Sequence, residues 1–324
     1  MTLADVPAPR PSRGQVAIRV SAAGLNPADT NIAQGKARLL VGLELPVVAG
    51  SDAAGTIEET GPGAVRFAPG DRVFVRTALD KPGAFADVLA VDESLVAAVP
   101  ASLDLGKAAA IPTVGLTALQ ALRDALSIRP GMRLLITGGA GGVGTIAIQI
   151  AKILGAHVTV TASSRGEALV RSLGADTVVD YTTERVGDVV ADQDAVFDMV
   201  GGRTLREAFG VVKPGGKVVS IASVPDAESA RQVGGGAAAA ALFRMLSARR
   251  NQLARRFGVS YRFVFARPDG DDLAELARYV EEDGLRVIVD REFPFERIDE
   301  AFTYLGTGRA KGKVTVRIAR DRLV

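Results

Sequence analysis

The pattern of apolar and polar positions before Ala108 predicts a β-rich region. Short runs of alternating apolar and polar residues are separated by Gly and Pro. These runs predict strands at Gln15–Val20, Ala53–Glu58 and Arg72–Val75. Short strands separated by such turns are typical of a compact, barrel-like domain.

After Ala108 the pattern changes to strands that alternate with helices. The predicted strands are Leu134–Thr137, His157–Thr161, Thr177–Asp180, Ala195–Met199 and Lys217–Ile221. The predicted helices are Thr117–Leu126, Gly144–Leu154, Glu167–Leu173 and Leu205–Val211. This alternation indicates an α/β fold with a doubly wound parallel sheet.

The C-terminal part of the chain is predicted to combine helices with two further strands. Ala237–Phe257 reads as a long basic helix, interpreted as a solvated face or, less readily, as a site for an acidic partner. Tyr261–Ala266 reads as an apolar strand. Helices at Leu273–Glu281 and Ile298–Leu305 precede a closing strand at Lys313–Ile318, which we expect to return to the sheet of the first domain.

Length and composition fit a two-domain globular protein. The chain has 324 residues, 48% hydrophobic and 23% charged, which suits two domains with a large core. A net charge of +2 without long runs of one sign gives no case for a nucleic-acid partner. No apolar run has the length of a membrane span, and Met1–Arg13 lacks the apolar stretch of a signal peptide. We therefore expect a cytoplasmic protein without a membrane partner.

The absence of cysteine excludes several kinds of site. Disulfides, thiolate catalysis and cysteine-ligated zinc or iron–sulfur centres all require a residue that the chain lacks. The only histidine, His157, cannot form a metal site by itself, so no metal ligands are proposed. Because His157 opens a predicted strand, it is interpreted as a packed or capping residue.

The strongest motif is the glycine-rich segment Leu134–Gly144. An apolar strand leads into it and an amphipathic helix follows, which is the context that a dinucleotide-binding G-x-G-x-x-G motif requires. Gly139, Gly141 and Gly144 fit the three glycine positions, and the backbone of Gly142 and Val143 lies between them. Early glycines permit the tight turn and close approach of a pyrophosphate, which the helix N-terminus then attracts.

The end of the second strand of this unit favours NADPH over NADH. An NAD site usually has an acidic residue about 20 positions after the glycines, where it holds the ribose hydroxyls. Here the strand leads into Ser163, Ser164 and Arg165 instead. Hydroxyl groups followed by Arg suit the 2′-phosphate of NADPH, because a guanidinium forms charge-assisted hydrogen bonds to phosphate.

These and other motifs together resemble the zinc-independent, zeta-crystallin-like quinone oxidoreductase group of the medium-chain dehydrogenase/reductase superfamily. The segments that carry the resemblance are Ala23–Asp29, Gly50–Gly55, Pro69–Val73, Gly115–Ala118, Gly138–Gly144 and Gly308–Lys313. The resemblance implies a GroES-like catalytic domain formed by residues 1–113 and 267–324. It also implies an inserted Rossmann domain at 114–266, and a homodimer joined at Tyr261–Ala266.

The resemblance also implies that no catalytic zinc is present. Zinc-dependent relatives carry a Cys near Asn26 and a His-Glu pair at the positions of Ser51 and Asp52. Without zinc, hydride addition to a quinone or a conjugated carbon–carbon bond is easier than reduction of a simple ketone, because the developing charge is delocalised. Asp52 and Asp29 are open to two interpretations, as acid–base groups or, more commonly for Asp, as turn residues.

Several side chains are implied as site residues by the resemblance. Asn26 and Thr117 match residues that lie beside the nicotinamide, and are the catalytic candidates. Some relatives have, at the position of Asn31, a Tyr that has been considered a substrate contact. Because this chain lacks that Tyr, we expect solvent to supply the proton that completes the reduction. The further candidates for cofactor contact are Tyr181, Val200, Ile221, Lys311 and Lys313.

Three functions remain open from the sequence alone. The leading hypothesis is NADPH-dependent reduction of quinones or α,β-unsaturated carbonyl compounds. The second is a dinucleotide-binding sensor or structural protein with little catalysis. The third is an enoyl reductase acting on a carrier- or CoA-linked chain, whose acidic partner would bind the basic helix.

Overall fold

The computed structural model describes residues 2–33, 46–226, 228–229 and 237–318. The chain divides into two compact units. The first unit combines Met1–Leu116 with Arg267–Val324, and the second consists of Thr117–Ala266. Among the described residues, no helix is both long and apolar enough to cross a membrane.

The first unit is organised around a seven-stranded sheet. Its strands are β1 (Gln15–Gly24), β2 (Asp52–Thr60), β3 (Arg72–Arg76), β4 (Val88–Asp92), β5 (Val96–Ala98), β12 (Val289–Pro294) and β13 (Lys313–Arg317). The strand order is β12-β13-β1-β2-β3-β5, and β4 also pairs with β1. All of these pairs are antiparallel except β12 with β13.

The core of this unit requires both ends of the chain. Strand β1 is buried along most of its length, since it pairs with β2, β4 and β13. Apolar side chains of β1 pack with Ile298, Val314 and Val316 in one buried cluster. The expected return of the C-terminal segment to the first sheet is therefore confirmed by the pairing of β13 with β1.

Helices and short turns complete the first unit. They are α1 (Pro27–Ala33), α2 (Leu105–Ala108), α3 (Pro112–Leu119), α9 (Gly270–Glu281), α10 (Ile298–Gly306) and 3₁₀ turns at Glu93–Leu95 and Phe295–Arg297. Helix α9 begins after Asp269, whose side chain accepts hydrogen bonds from the backbone N–H groups of Asp271 and Asp272, both at 3.0 Å. This is the usual way in which Asp satisfies the first free N–H groups of a helix.

The second unit contains a six-stranded parallel sheet. Its strands are β6 (Arg133–Ile136), β7 (His157–Ala162), β8 (Thr177–Asp180), β9 (Gln193–Asp198), β10 (Val212–Ser220) and β11 (Ser260–Phe263). Its helices are α4 (Gly142–Ile153), α5 (Ser164–Ser172), α6 (Val186–Val189), α7 (Gly202–Val211) and α8 (Ala237–Arg256), with a π-helical turn at Gln120–Ala125. The strand order β11-β10-β9-β6-β7-β8 confirms the doubly wound topology.

The order of the strands places a topological switch point between β6 and β9. The chain runs outward in one direction from β6 through β7 to β8, and in the other direction from β9 through β10 to β11. Ligands of doubly wound sheets bind outside the carboxyl ends of the strands at such a point. The glycine-rich segment follows β6 and therefore lies at this position.

Several element boundaries differ from those that the sequence predicts. The helix expected at Thr117–Leu126 begins earlier, at Pro112. It is α-helical as far as Leu119 and then continues as a π-helical turn at Gln120–Ala125. The strand expected at Tyr261–Ala266 ends at Phe263. Strands β4, β5 and β12 were not predicted; β5 has only three residues, and β12 ends in proline.

Candidate functional site

The turn after β6 requires glycine for reasons of backbone geometry and packing. Gly138 has a φ of +74°, which L side chains rarely adopt. A Cβ on Gly139 would lie 2.0 Å from Cγ1 of Val160 in β7. A Cβ on Gly144 would lie 2.6 Å from the carbonyl oxygen of Gly138. These glycines allow the turn, the strand and α4 to pack closely.

Gly141 differs from Gly138, Gly139 and Gly144, because no contact or backbone angle in the described part of the chain requires glycine there. Its φ is −78°, and an added Cβ would meet only the carbonyl oxygen of Gly138 at 3.5 Å, which is an ordinary contact. Gly141 is the N-cap of α4 and offers no side chain to the N–H groups of Gly142, Val143 and Gly144. The turn thus leaves space and N–H donors for an anion, which fits the pyrophosphate of a dinucleotide.

A buried carboxylate joins the carboxyl ends of β6, β9 and β10. Asp198 has no exposed surface, and its carboxylate accepts hydrogen bonds from Thr137 Oγ1 at 2.9 Å and Ser220 Oγ at 2.7 Å. It also accepts from the backbone N–H of Val200 at 3.3 Å and of Gly201 at 3.1 Å. Asp198 therefore fixes the loop that carries Val200 at the switch point.

Two of the candidate cofactor contacts follow β9 and β10. Val200 is exposed, and its Cγ2 lies 3.2 Å from the position of a Cβ on Gly138. Ile221 is half-buried, and its N–H donates to the carbonyl oxygen of Asp198 at 3.0 Å. Both residues therefore belong to the loops at the carboxyl edge of the sheet, as their position in the sequence predicts.

The four residues expected at the adenosine phosphate lie on two adjacent strand ends. Ser163 is the N-cap of α5, and its side chain does not cap the helix. Ser164 and Arg165 follow in the first turn and are exposed. Tyr181, also exposed, is tied to the same edge because its N–H donates to the carbonyl oxygen of Ala162 at 3.3 Å.

An acidic residue that the sequence analysis did not single out lies beside this group. Asp180 ends β8, pairs in register with Ala162, and accepts a hydrogen bond from the backbone of Ser164. Hydrogen bonds from Thr182 hold the pKa of Asp180 below its ordinary value. Among the residues expected to contact the 2′-phosphate, Arg165 is the one with a positive charge.

Asn26 is held at the point where β1 leads into α1. Its side chain is almost fully buried, and its backbone N–H donates to Asp29 Oδ2 at 2.8 Å. The side-chain Nδ2 donates to Asp52 Oδ2 at 3.0 Å, and Oδ1 accepts from Lys313 Nζ. The amide that follows the first strand thus meets one residue of the second strand and one of the last strand.

Asp52 is the acceptor at the centre of this cluster. Oδ2 accepts from Lys313 Nζ at 3.0 Å in addition to Asn26. Oδ1 accepts from the backbone N–H of Thr113 at 3.0 Å and from its hydroxyl at 2.5 Å. Arg76 is also buried and donates through Nε to the hydroxyl of Thr113 at 3.2 Å. Asp52 therefore serves as a buried counter-ion rather than as an exposed turn residue.

The electrostatics of the cluster raise the pKa of Asp29 to about 6. Burial is the largest cause and the charge of Asp52 is the second, while Lys313 and hydrogen bonds from Asn26 and Ser51 act in the opposite direction. Burial also lowers the pKa of Arg76, against the effect of the two carboxylates. Charged groups of both signs are thus buried together, which is tolerable only because they are paired and hydrogen-bonded.

The remaining candidates lie on α3 and at the start of β13 or just before it. Thr117 is buried in α3, the helix that also carries Thr113. Lys311 is half-buried, two residues before β13. Lys313 was expected near the cofactor, and its described partners are Asn26 and Asp52. A direct contact between Lys313 and the cofactor stays a prediction.

Other candidate residues have ordinary structural roles. His157 opens β7 as predicted, is half exposed, and places Nδ1 3.6 Å from Asp176 Oδ2. Among the described residues there is no group of three or more His, Cys, Asp or Glu that could hold a metal ion. The sequence analysis did not identify Asp198, Thr113 or Arg76 as site residues. Asp198 could have been identified, because an Asp at the end of an apolar strand is a recognisable pattern.

The two kinds of glycine in the turn can be separated by substitution. We expect Gly139→Ala to destabilise the protein by about 1–3 kcal/mol, because the new methyl group would overlap Val160. We expect Gly141→Ala to change stability by less than about 1 kcal/mol, but to weaken dinucleotide binding roughly tenfold or more. Denaturant unfolding and fluorescence titration measure the two effects. Equal loss of stability in both variants would contradict this distinction.

Comparison with known proteins places the chain in a family. Residues 12–101 match the alcohol dehydrogenase GroES-like domain, and residues 173–316 match the zinc-binding dehydrogenase family. A mitochondrial NAD(P)H oxidoreductase of Danio rerio is 35% identical over 95% of this chain and 84% of its own length. The chloroplastic NADPH-dependent alkenal/one oxidoreductase of Arabidopsis thaliana is 36% identical over 96% of this chain and 74% of its own length.

A solved structure agrees with these relatives. The quinone oxidoreductase from Coxiella burnetii superposes with a TM-score of 0.85 at 29% identity, and the match covers 98% of this chain and 95% of that one. The match extends over both units. The chain belongs to the quinone oxidoreductase group of the medium-chain dehydrogenase/reductase superfamily.

Proposed function

We propose that this protein uses NADPH to reduce quinones or α,β-unsaturated carbonyl compounds by direct hydride transfer, without zinc. The observation that carries the proposal is the turn at Gly141, where an added Cβ would make only an ordinary contact and no side chain caps the first N–H groups of α4. The names of two relatives support the substrate class, since one is an alkenal/one oxidoreductase that depends on NADPH and the other a quinone oxidoreductase.

The side chains available for catalysis favour a conjugated substrate. The chain has no cysteine and one histidine, so the usual protein ligands of a catalytic zinc are missing. Without a Lewis acid, a substrate is reduced most easily when the developing negative charge spreads onto an oxygen away from the attacked carbon. A quinone or an enone meets this condition, and one or two hydrogen-bond donors can then stabilise the oxygen.

We propose that residues at the carboxyl edge of the parallel sheet hold the cofactor. The N–H groups that follow Gly141 would bind the pyrophosphate, as the open first turn of α4 supports. Ser163, Ser164 and Arg165 would bind the 2′-phosphate, with Tyr181 beside them. The further proposed contacts are Gly139, Gly144, Val200, Ile221 and Lys311, while Lys313 is proposed near the cofactor, held through its contact with Asn26.

The bound dinucleotide would supply a hydride, and the protein would supply position and polarisation. Asn26 is the proposed donor to the carboxamide of the nicotinamide or to the substrate oxygen, through its side-chain amide. Thr117 is proposed beside the nicotinamide on the basis of family resemblance. Because an amide is not an acid, the proton that completes reduction would come from solvent.

The hydride step can be tested with an enone substrate. We expect deuterium from the reactive face of C4-labelled NADPH to appear at the β-carbon of the product, because direct transfer leaves no opportunity for exchange. We expect Asn26→Ala to lower kcat/KM by about 10- to 1,000-fold while leaving NADPH affinity within a few-fold, as for loss of one positioned donor. Mass spectrometry and steady-state kinetics measure these effects.

The same assay separates the alternatives. Stoichiometric NADPH binding without turnover of any quinone or enone would replace the proposal with a non-catalytic sensor or structural protein. Turnover of enoyl thioesters alone would favour a reductase of carrier- or CoA-linked chains. Tightly bound zinc at one ion per chain, with loss of activity on chelation, would contradict the zinc-free mechanism.

Cofactor preference can be tested at Arg165. We expect Arg165→Ala to raise the dissociation constant for NADPH by about tenfold or more, because a charge-assisted hydrogen bond to phosphate is lost. Binding of NADH should change little. Arg171→Ala is a matched control, since Arg171 lies on the same helix and pairs with Glu167 at 2.8 Å. Equal weakening of both cofactors by Arg165→Ala would show that this residue does not recognise the 2′-phosphate.

We also propose a homodimer joined at β11, in a protein located in the cytoplasm. Strand β11 ends the order of the parallel sheet among the described residues, and an unpaired strand edge favours pairing with another chain. Two-fold pairing of this edge would extend the sheet across the dimer. We expect light scattering at micromolar concentration to give twice the mass of one chain. A monomeric mass would contradict this proposal.

A further inference from the structure

We infer that Lys313 is a positioning residue, which fixes the orientation of the Asn26 side chain and strengthens its remaining N–H as a hydrogen-bond donor. The inference rests on the proposed function, because it assigns a role in reduction to a residue that acts through Asn26. It concerns groups that lie within the first unit and are all described by the structure.

The position of Lys313 is set by strand pairing. Gly24, at the end of β1, pairs in register with Asp52 of β2 and with Thr315 of β13. A Cβ at Gly24 would lie 3.2 Å from Cε of Lys313 and 3.2 Å from Cβ of Asp52. The lysine stem therefore passes close over a glycine, and its ammonium group reaches the amide two residues beyond β1.

The neighbours of the Asn26 side chain permit only one orientation of its amide. An ammonium group can only donate hydrogen bonds, and an ionised carboxylate can only accept them. Lys313 therefore selects the amide oxygen, and Asp52 selects the amide nitrogen, as observed. Exchanging the oxygen and nitrogen would place two donors together and two acceptors together, in a site with almost no solvent.

One N–H of this amide is left for a ligand. Nδ2 carries two hydrogens, and one of them is directed to Asp52. Within the part of the chain that the structure describes, the other makes no hydrogen bond. Because neighbouring charges polarise a hydrogen-bonded group, the ammonium at Oδ1 makes the second N–H a stronger donor than an ordinary amide. That N–H is the group that the proposed mechanism assigns to Asn26.

A simpler role for Lys313 is neutralisation of Asp52. The two side chains are 5% and 0% exposed, so an unpaired carboxylate there would be costly whether or not the protein is an enzyme. The two roles differ in what they predict when Asn26 is absent. If Lys313 acts through Asn26, substitution of Lys313 should have little effect on reduction in a protein that already carries Asn26→Ala. If Lys313 is purely structural, its substitution should slow reduction equally with or without Asn26.

A double-mutant cycle distinguishes these roles. We expect Lys313→Met to lower kcat/KM for an enone by roughly 10- to 100-fold, with NADPH affinity within about threefold. In the Asn26→Ala background the same substitution should change kcat/KM by less than about threefold. Lys107→Met, which removes an exposed lysine of the same unit, is the matched control and should leave kinetics unchanged. Multiplicative losses in the double variant would overturn the inference.

A second measurement does not depend on activity. Asparagine occurs only at positions 26, 31 and 251, so selective ¹⁵N labelling gives few side-chain amide signals, and Asn26→Ala identifies those of Asn26. In the cofactor-free wild type we expect two well-separated, slowly exchanging Asn26 protons. Lys313→Met should shift these signals and speed their exchange with solvent. Unchanged Asn26 signals would overturn the inference even if activity falls.

Two further variants keep the test interpretable. Lys313→Gln retains a donor for the amide oxygen without the charge, so it should preserve the NMR signature of a fixed amide better than Lys313→Met and lose activity to an intermediate extent. Lys313→Met leaves the carboxylate of Asp52 without its ion-pair partner, so this variant could fail to fold. In that case the double variant Lys313→Met, Asp52→Asn removes the carboxylate charge as well, and it is compared with Asp52→Asn alone. Lack of any reduction by the wild type would contradict the proposed function, while the NMR measurement would still decide whether Lys313 fixes the amide.

Discussion

The buried ion pair between Lys313 and Asp52 is the constraint on which the first unit depends. Charges are removed from water there, and such a pair is stable only when every donor and acceptor has a partner. Asp52 accepts four hydrogen bonds, which come from Asn26, Lys313 and the two donor groups of Thr113. Satisfying this one carboxylate requires that the ends of β1, β2 and β13 and the start of α3 meet at one point.

The second unit applies the same rule to another carboxylate. Asp198 is fully buried and neutral partners surround it, with hydroxyl and backbone N–H donors from three strand ends. Its hydrogen bonds hold the loops at the carboxyl edge of the sheet, while no side chain caps the N–H groups that follow Gly141 in the first turn of α4. Fixed loops beside uncapped N–H groups suit a phosphate site, since a preorganised site loses less entropy on binding.

The sequence predicted the second unit better than the first, for a physical reason. Helix and strand periods alternate clearly from Leu134 to Ser220, and each period follows from local geometry. Strand β5, with three residues, is too short to show a period, and the proline that ends β12 is unusual in a strand. The pairing of Lys313 with Asn26 joins residues 287 positions apart, which no local pattern contains. Family resemblance identified both residues as site candidates, but not their contact, and it did not identify Thr113 or Arg76.

The placement of β13 beside β1 has a consequence for synthesis of the chain. Gly24 of β1 pairs with Thr315 of β13, which is 291 positions later. Ribosomes add roughly 5–20 residues per second, so β1 waits roughly 15 to 60 seconds for this partner. During this interval the edge of β1 and the apolar residues that pack with Val314 and Val316 remain uncovered. Residues 117–266 form a unit whose strands all lie within that segment, and it can fold meanwhile. Until β13 is made, the nascent N-terminal sheet therefore has an unpaired edge, which is the kind of surface that favours aggregation during synthesis.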